Sequence, residues 1–159
     1  MKTVNYKLLL LIPICVLCLP FMACSQTKFF NELPTGEGIE KVFISKTILS
    51  AMQNEEEFKR DDIANLLGGE NSSEYYQCDN PDLFPLIKTK YDEMFHNYDK
   101  EILTSTEDNQ TDFTIFLLYP KGKRKDPVGL VISVFSPKSI SITIFNGKIN
   151  LDGLRKLLN

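Results

Sequence analysis

Tryptophan is absent from this sequence, histidine occurs once, at residue 96, and acidic side chains outnumber basic ones by 21 to 18. One imidazole cannot serve a catalytic triad and a histidine-based metal site together. His96 also has no cysteine or second histidine close by in sequence, so zinc chemistry finds no ligand set. Gly68-Gly69 lacks the lysine and the Ser/Thr of a phosphate loop, and no Gly-x-Ser-x-Gly elbow occurs. The acidic runs Glu55–Glu57 and Asp61-Asp62 lack EF-hand spacing, and consecutive carboxylates on a helix point in different directions. They read as helix-start charge and solvent face. The net negative balance offers no general attraction to nucleic acid or to an anionic bilayer, and no cofactor is expected.

Long apolar runs are scarce too, with one exception at the start. Lys2 and Lys7 precede an apolar stretch from Leu8 to Ala23, broken only by Pro13, Pro20 and two cysteines. Positive charge followed by an apolar run is signal-peptide architecture. About 16 residues with two prolines fall short of the roughly 20 that span a bilayer, which disfavours an uncleaved anchor. Phe21-Met22-Ala23-Cys24 is similar to a bacterial lipobox, although Phe21 stands where leucine is most common. Ala23 is small enough for a peptidase subsite, and the Cys24 thiol can accept a diacylglyceryl group. The expectation is cleavage before Cys24 and lipidation there; the alternative is ordinary secretion with Cys24 free.

Lipidation accounts for the cysteines. Cys15 and Cys18 leave with the signal, Cys24 becomes a thioether, and only Cys78 remains, so no intramolecular disulfide is possible. Cys78 reads as a partly buried small residue beside a helix start, or else as an exposed thiol. Loss of Lys2 and Lys7 leaves 16 basic against 21 acidic side chains, a balance of −5. The 136 residues from Cys24 onward suffice for one domain with a real core. We therefore expect a signal peptide over 1–23, a lipidated N-terminus and tether over 24–37, and a single α+β domain over 38–159.

Within that domain, Val42-Phe43-Ile44 favours a strand, and Lys46–Met52 a short helix with Ile48, Leu49 and Met52 on one side. Asn54 with Glu57 fits a capping box for a second helix, stopped by Gly68-Gly69. Residues 70–79 have little period and read as a loop, or as an edge strand through Tyr75-Tyr76. Asn80, Pro81 and Asp82 are strong start signals, and Leu83, Ile87, Tyr91, Met94 and Tyr98 recur at helical spacing, predicting one helix over 81–97. The period then changes to two. Strands are expected over 101–106, 111–119, 128–135 and 139–145, with a leucine-rich helix over 151–158. Ile140, Ile142 and Ile144 alternate with Ser139, Ser141 and Thr143, the pattern of a sheet packed on one face and wet on the other. The expected fold is α+β: a mostly antiparallel four- to five-stranded sheet with helices on one face.

Two contact surfaces stand out. Lys121, Lys123, Arg124 and Lys125 concentrate positive charge between two expected strands, suited to anionic headgroups, to an acidic partner, or simply to a soluble hairpin tip. Ser139, Ser141 and Thr143 form the polar sheet face. Tyr75, Tyr76, Tyr91 and Tyr98 are further candidates for the rim of a contact surface, although Tyr91 and Tyr98 fit the helix stripe.

The runs Glu40–Leu49 and Tyr91-Asp92-Glu93-Met94, with Gly147–Leu151 before the terminal leucines, carry a resemblance. The chain resembles a family of small Bacteroidetes lipoproteins classed as a domain of unknown function (DUF4252-like). The resemblance implies a cleaved, lipid-modified N-terminus and one α+β domain, and brings no catalytic residues. Without an acidic run after Cys24, the periplasmic face of the outer membrane is the expected location. The functional expectation is a noncatalytic, membrane-tethered protein that binds a protein partner or an envelope component. The alternatives are a hydrolase of an envelope polymer using paired carboxylates, for example from the Asp61-Asp62 and Glu107-Asp108 regions, and a purely structural or assembly role.

Overall fold

The computed structural model describes residues 29–53, 71–108 and 110–158. Six strands form one antiparallel sheet: β1 (Ile39–Ile44), β2 (Ser72–Cys78), β3 (Tyr98–Asp108), β4 (Thr111–Pro120), β5 (Gly129–Phe135) and β6 (Ile140–Asn146). Their spatial order is β1-β2-β6-β5-β4-β3. The last four strands form an antiparallel meander, and β2, itself paired with β1, joins it through β6, Ser72 opposite Asn146 and Cys78 opposite Ile140, so the sheet has six strands rather than the four or five expected. Three α-helices are described: α1 (Lys46–Gln53), α2 (Phe84–Met94) and α3 (Leu151–Leu158).

The α+β class holds, but both faces of the sheet carry helices rather than one. On the first face, Tyr76, Cys78, Phe116, Leu118, Val131, Ile140, Ile142 and Ile144 pack against Ile87 and Phe95, from α2 and the turn after it. On the second, Leu117, Tyr119 and Leu130 pack with Leu49 of α1 and Ile149 and Leu154 around α3. The cause is visible in β4: Phe116, Leu117, Leu118 and Tyr119 are consecutive and all buried, so residues pointing to opposite sides both meet cover. Thr143 and Ser141 do alternate with the buried isoleucines. Their neighbours across the sheet, however, are Tyr75 and Ile132 for Thr143, and Gln77 and Val134 for Ser141, so this face is mixed and half-buried rather than wet.

The stretch through Tyr75-Tyr76 is neither loop nor edge; β2 lies inside the sheet between β1 and β6. Strong β formers in Tyr75-Tyr76 and a buried Cys78 fit that place. Asn80 caps as expected, its side chain accepting from the Asp82 backbone at 3.1 Å, but the first turn is 3-10 and the α-helix ends at Met94. His96 N–H donates to Glu93 O and Tyr98 N–H to Phe95 O, reversing the chain so that Tyr98 begins β3. The helical spacing runs on through Tyr98 because helix and strand bury side chains in the same cluster. The second helix expected from Asn54, with Asp61-Asp62, lies outside the described residues.

The largest departure is at the N-terminal side. From Phe29 onward the segment expected to be tether is part of the core: Phe29, Phe30 and Leu33 are 7%, 1% and 3% exposed. A single 3-10 turn, Phe30–Glu32, lays this strap across the first face. Phe30 meets Tyr76 at 5.7 Å, and Phe29 meets Phe95 and Tyr98 at 5.6 and 5.8 Å, all tilted ring pairs. Burying two phenylalanines outweighs the polar composition around them, each contributing roughly 2–3 kcal/mol of transfer free energy.

Candidate functional site

The strap is held by polar groups as well as rings. Glu74 is fully buried on β2. Its Oε2 accepts the backbone N–H of Phe29 at 3.1 Å and of Phe30 at 3.4 Å, and its Oε1 accepts Asn146 Nδ2 at 2.8 Å. Register explains the placement: Glu74 faces Ile144 on one side and Phe43 on the other, which puts its carboxylate under the strap. Two residues away in register, Lys41 lies opposite Tyr76. Its Nζ donates to Phe30 O at 2.7 Å and Leu33 O at 2.9 Å, while burial lowers its pKa. One side chain thus binds the donors of the turn and another its acceptors, meeting the requirement that buried backbone polar groups be paired.

The strap runs lengthwise over the sheet. Phe29 lies beside Tyr98 at the end where β4 turns into β5, and Gly36–Gly38 turn the chain into β1 at the other, where Ile39 pairs with Cys78. Phe29, the first described residue, therefore lies at the end of the sheet that carries the basic loop. That loop opens with a turn closed by Lys123 N–H to Pro120 O at 2.9 Å, and Gly122 supplies the positive φ of 74° it requires. Asp99 Oδ2 accepts the Gly122 N–H at 2.9 Å, and Lys121 Nζ donates to His96 O at 3.1 Å. Lys123, Arg124 and Lys125 are exposed beyond this pinned base.

The two surfaces expected from sequence are not brought together. Thr143 lies in mid-sheet, Ser141 nearer the far end, and Ser139 sits in the β5–β6 turn with Ser136, whose hydroxyl donates to Ser139 O at 2.9 Å. That turn is at the opposite end of the sheet from Lys121–Lys125. Tyr76 is buried in the core and rims no surface; Tyr91 donates to Ser133 Oγ at 2.8 Å and lines an open pocket with Lys88, Asp112 and Phe135. Burial raises the pKa of Tyr76, Tyr91 and Tyr119 to about 12 in each case; the Ser133 hydrogen bond partly opposes this at Tyr91, and bonding to Glu101 at 2.7 Å reinforces it at Tyr119.

Cys78 is a buried free thiol, its Sγ 3.6 Å from Asn80 O. Glu107 and Asp108 are exposed at the β3–β4 turn near Asp112 and Gln110, and Asp61-Asp62 lie outside the described residues, as does Cys24. Among the described residues no group of three or more His, Cys, Asp or Glu is placed to hold a metal. An open groove beside the strap is lined by Phe29, Asn31, Glu32, Lys90, Glu93 and Tyr98. No helix among the described residues is long and apolar enough to cross a membrane.

Sequence reasoning missed Glu74 and Lys41. The available signal was a glutamate in a run that otherwise favours a strand, together with paired phenylalanines in a polar segment. In comparison with known proteins, no family model, no curated protein and no solved structure matches the chain.

Proposed function

We propose that this is a noncatalytic lipoprotein of a bacterial envelope, cut before Cys24, lipidated there, and held close to the periplasmic face of the outer membrane, where it binds a protein partner or an envelope component. The lipobox-like Phe21-Met22-Ala23-Cys24 and the resemblance to Bacteroidetes lipoproteins support this reading. The observation that carries it is the short lead into the fold. Only residues 25–28 separate Cys24 from Phe29, whose ring is packed and whose N–H is bound by Glu74. Five extended residue steps reach at most about 18 Å. A lipid on Cys24 would hold the folded body against the bilayer surface rather than let it range freely, as suits a protein working on a membrane-adjacent partner.

The test has two parts. Intact-mass and peptide analysis of the protein from its native envelope is expected to show Cys24 as the first residue, carrying acyl chains. Crosslinking and affinity recovery of that protein, with Cys24→Ala as control, is expected to enrich one partner whose recovery depends on the lipid. A mature N-terminus elsewhere, or an unmodified Cys24, would overturn the tether. Recovery that is the same with and without the lipid would overturn the membrane-adjacent partner.

A further inference from the structure

We propose that the β4–β5 loop is a second membrane contact, with Lys123, Arg124 and Lys125 binding anionic phospholipid headgroups and orienting the domain; this rests on the reading that Cys24 is lipidated. Sequence alone left the loop equally suited to a headgroup, an acidic partner or plain solubility. Its place in the fold decides between them. Phe29, five residues on from Cys24, touches Tyr98. Tyr98 pairs with Pro120, and Lys121 follows. The loop therefore lies at the end of the sheet where Phe29 packs.

Charge is divided along the same axis. Lys148 lies at the basic-loop end with the loop, because Asn146 pairs with Gly129 there. Acids are present at that end too: Asp99 is engaged by Gly122 N–H, Glu93 by Lys90 at 2.8 Å, and Asp126 and Asp152 are exposed. At the opposite end stand Glu107, Asp108 and Asp112 around the β3–β4 turn, with Asp79 and Asp82 after β2, against Lys88 and Lys138. A body attached at its basic end keeps its acidic end away from an anionic surface. Among the described residues, Lys123, Arg124 and Lys125 form no ion pair with an acid, and Arg124 lies near the Tyr119 hydroxyl that donates to Glu101; all three cations are exposed to meet phosphodiester groups. One lipid attachment combined with a basic patch is the pairing that gives stable anchoring where a single acyl chain gives a marginal one.

The test uses the natively lipidated protein, its Cys24 acylation first established by mass. A nitroxide is placed at Asp126→Cys, beside the three cations, or, as the distal control, at Lys138→Cys; the buried Cys78 leaves either label selective. Each protein is reconstituted into vesicles of phosphatidylethanolamine alone or mixed with phosphatidylglycerol, and collision with a water-soluble paramagnetic relaxant is measured. The expected result is shielding of the residue-126 probe only with phosphatidylglycerol, reversed by salt, with no change at residue 138. Equal exposure of the residue-126 probe in both vesicles, or equal shielding of both probes, would overturn the proposal.

Flotation of the unacylated chain from residue 25 separates the two readings. Its association with phosphatidylglycerol vesicles is expected to fall roughly tenfold or more in Lys123→Ser/Arg124→Ser/Lys125→Ser. That loss would support the loop contact even if Cys24 proved unmodified. Binding unchanged by the three substitutions would overturn it even with acylation proven.

Discussion

Removing the Glu74 carboxylate is the sharpest perturbation of the strap. In Glu74→Ala, the Phe29 and Phe30 N–H groups lose this acceptor and Asn146 loses its 2.8 Å partner. Hydrogen bonds to a charged group are each worth about 1.5–3 kcal/mol net. The three bonds together come to roughly 4.5–9 kcal/mol, from which relief of a buried charge subtracts several. We expect a net loss of about 3 kcal/mol, and about 1 kcal/mol for Glu74→Gln, whose amide keeps one acceptor oxygen. At a urea slope of about 2 kcal/mol/M the alanine midpoint falls by about 1.5 M. Without tryptophan, far-ultraviolet circular dichroism is the natural probe. Amide hydrogen exchange locates the effect: Phe29 and Phe30 should exchange much faster in the alanine variant under native conditions, while Leu117 on the second face follows only the global change. An unchanged midpoint, or identical acceleration at Phe30 and Leu117, would refute the idea that Glu74 pins the strap.

Phe30→Ala should cost about 3–4 kcal/mol in the same urea titration, because the ring is 1% exposed against Tyr76; a loss below about 1 kcal/mol would mean that the strap is peripheral. Gly129→Ala places a Cβ 3.1 Å from the Phe145 carbonyl oxygen between β5 and β6, and should lower thermal stability by about 1–3 kcal/mol; a neutral result would show that the strands part easily. Because Tyr76, Tyr91 and Tyr119 have folded pKa values raised from 10.0 to about 12, the stability they contribute is complete below pH 10 and is lost as the pH climbs towards about 12. Urea midpoints across that window should therefore decline, and less steeply in Tyr91→Phe; an equally steep decline in that variant would remove Tyr91 from the account.

Much of the architecture was legible because one period dominated each stretch. Ile140, Ile142 and Ile144 marked their strand to within a residue, and Asn80-Pro81-Asp82 marked a helix start that the Asn80 side chain does cap. Where burial came from two sources, the pattern misled. Tyr98 kept helical spacing while beginning a strand, and the serines beside the isoleucines suggested a wet face that is in fact lined across the sheet by Ile132 and Val134. The strap was hidden for a different reason. Phe29-Phe30 lie among polar residues, and nothing local states that a carboxylate 45 residues away will hold their amides. Lys121–Lys125 were readable as a charged loop, but their place at the Phe29 end of the sheet depends on the Tyr98–Pro120 register.

The pairing of β2 with β6 also orders events in time. Ser72 meets Asn146 across more than seventy residues, whereas β3 to β6 join neighbour to neighbour, so the meander can assemble first and contacts of long sequence separation come late. Synthesis from the N-terminus presents β1, β2 and the strap before the strand that receives them has been made. Phe29 and Phe30 find their cover only when the far end of the polypeptide arrives. A chain cut short before β6 would lack Ile140, Ile142 and Ile144 from the cluster that seats both rings.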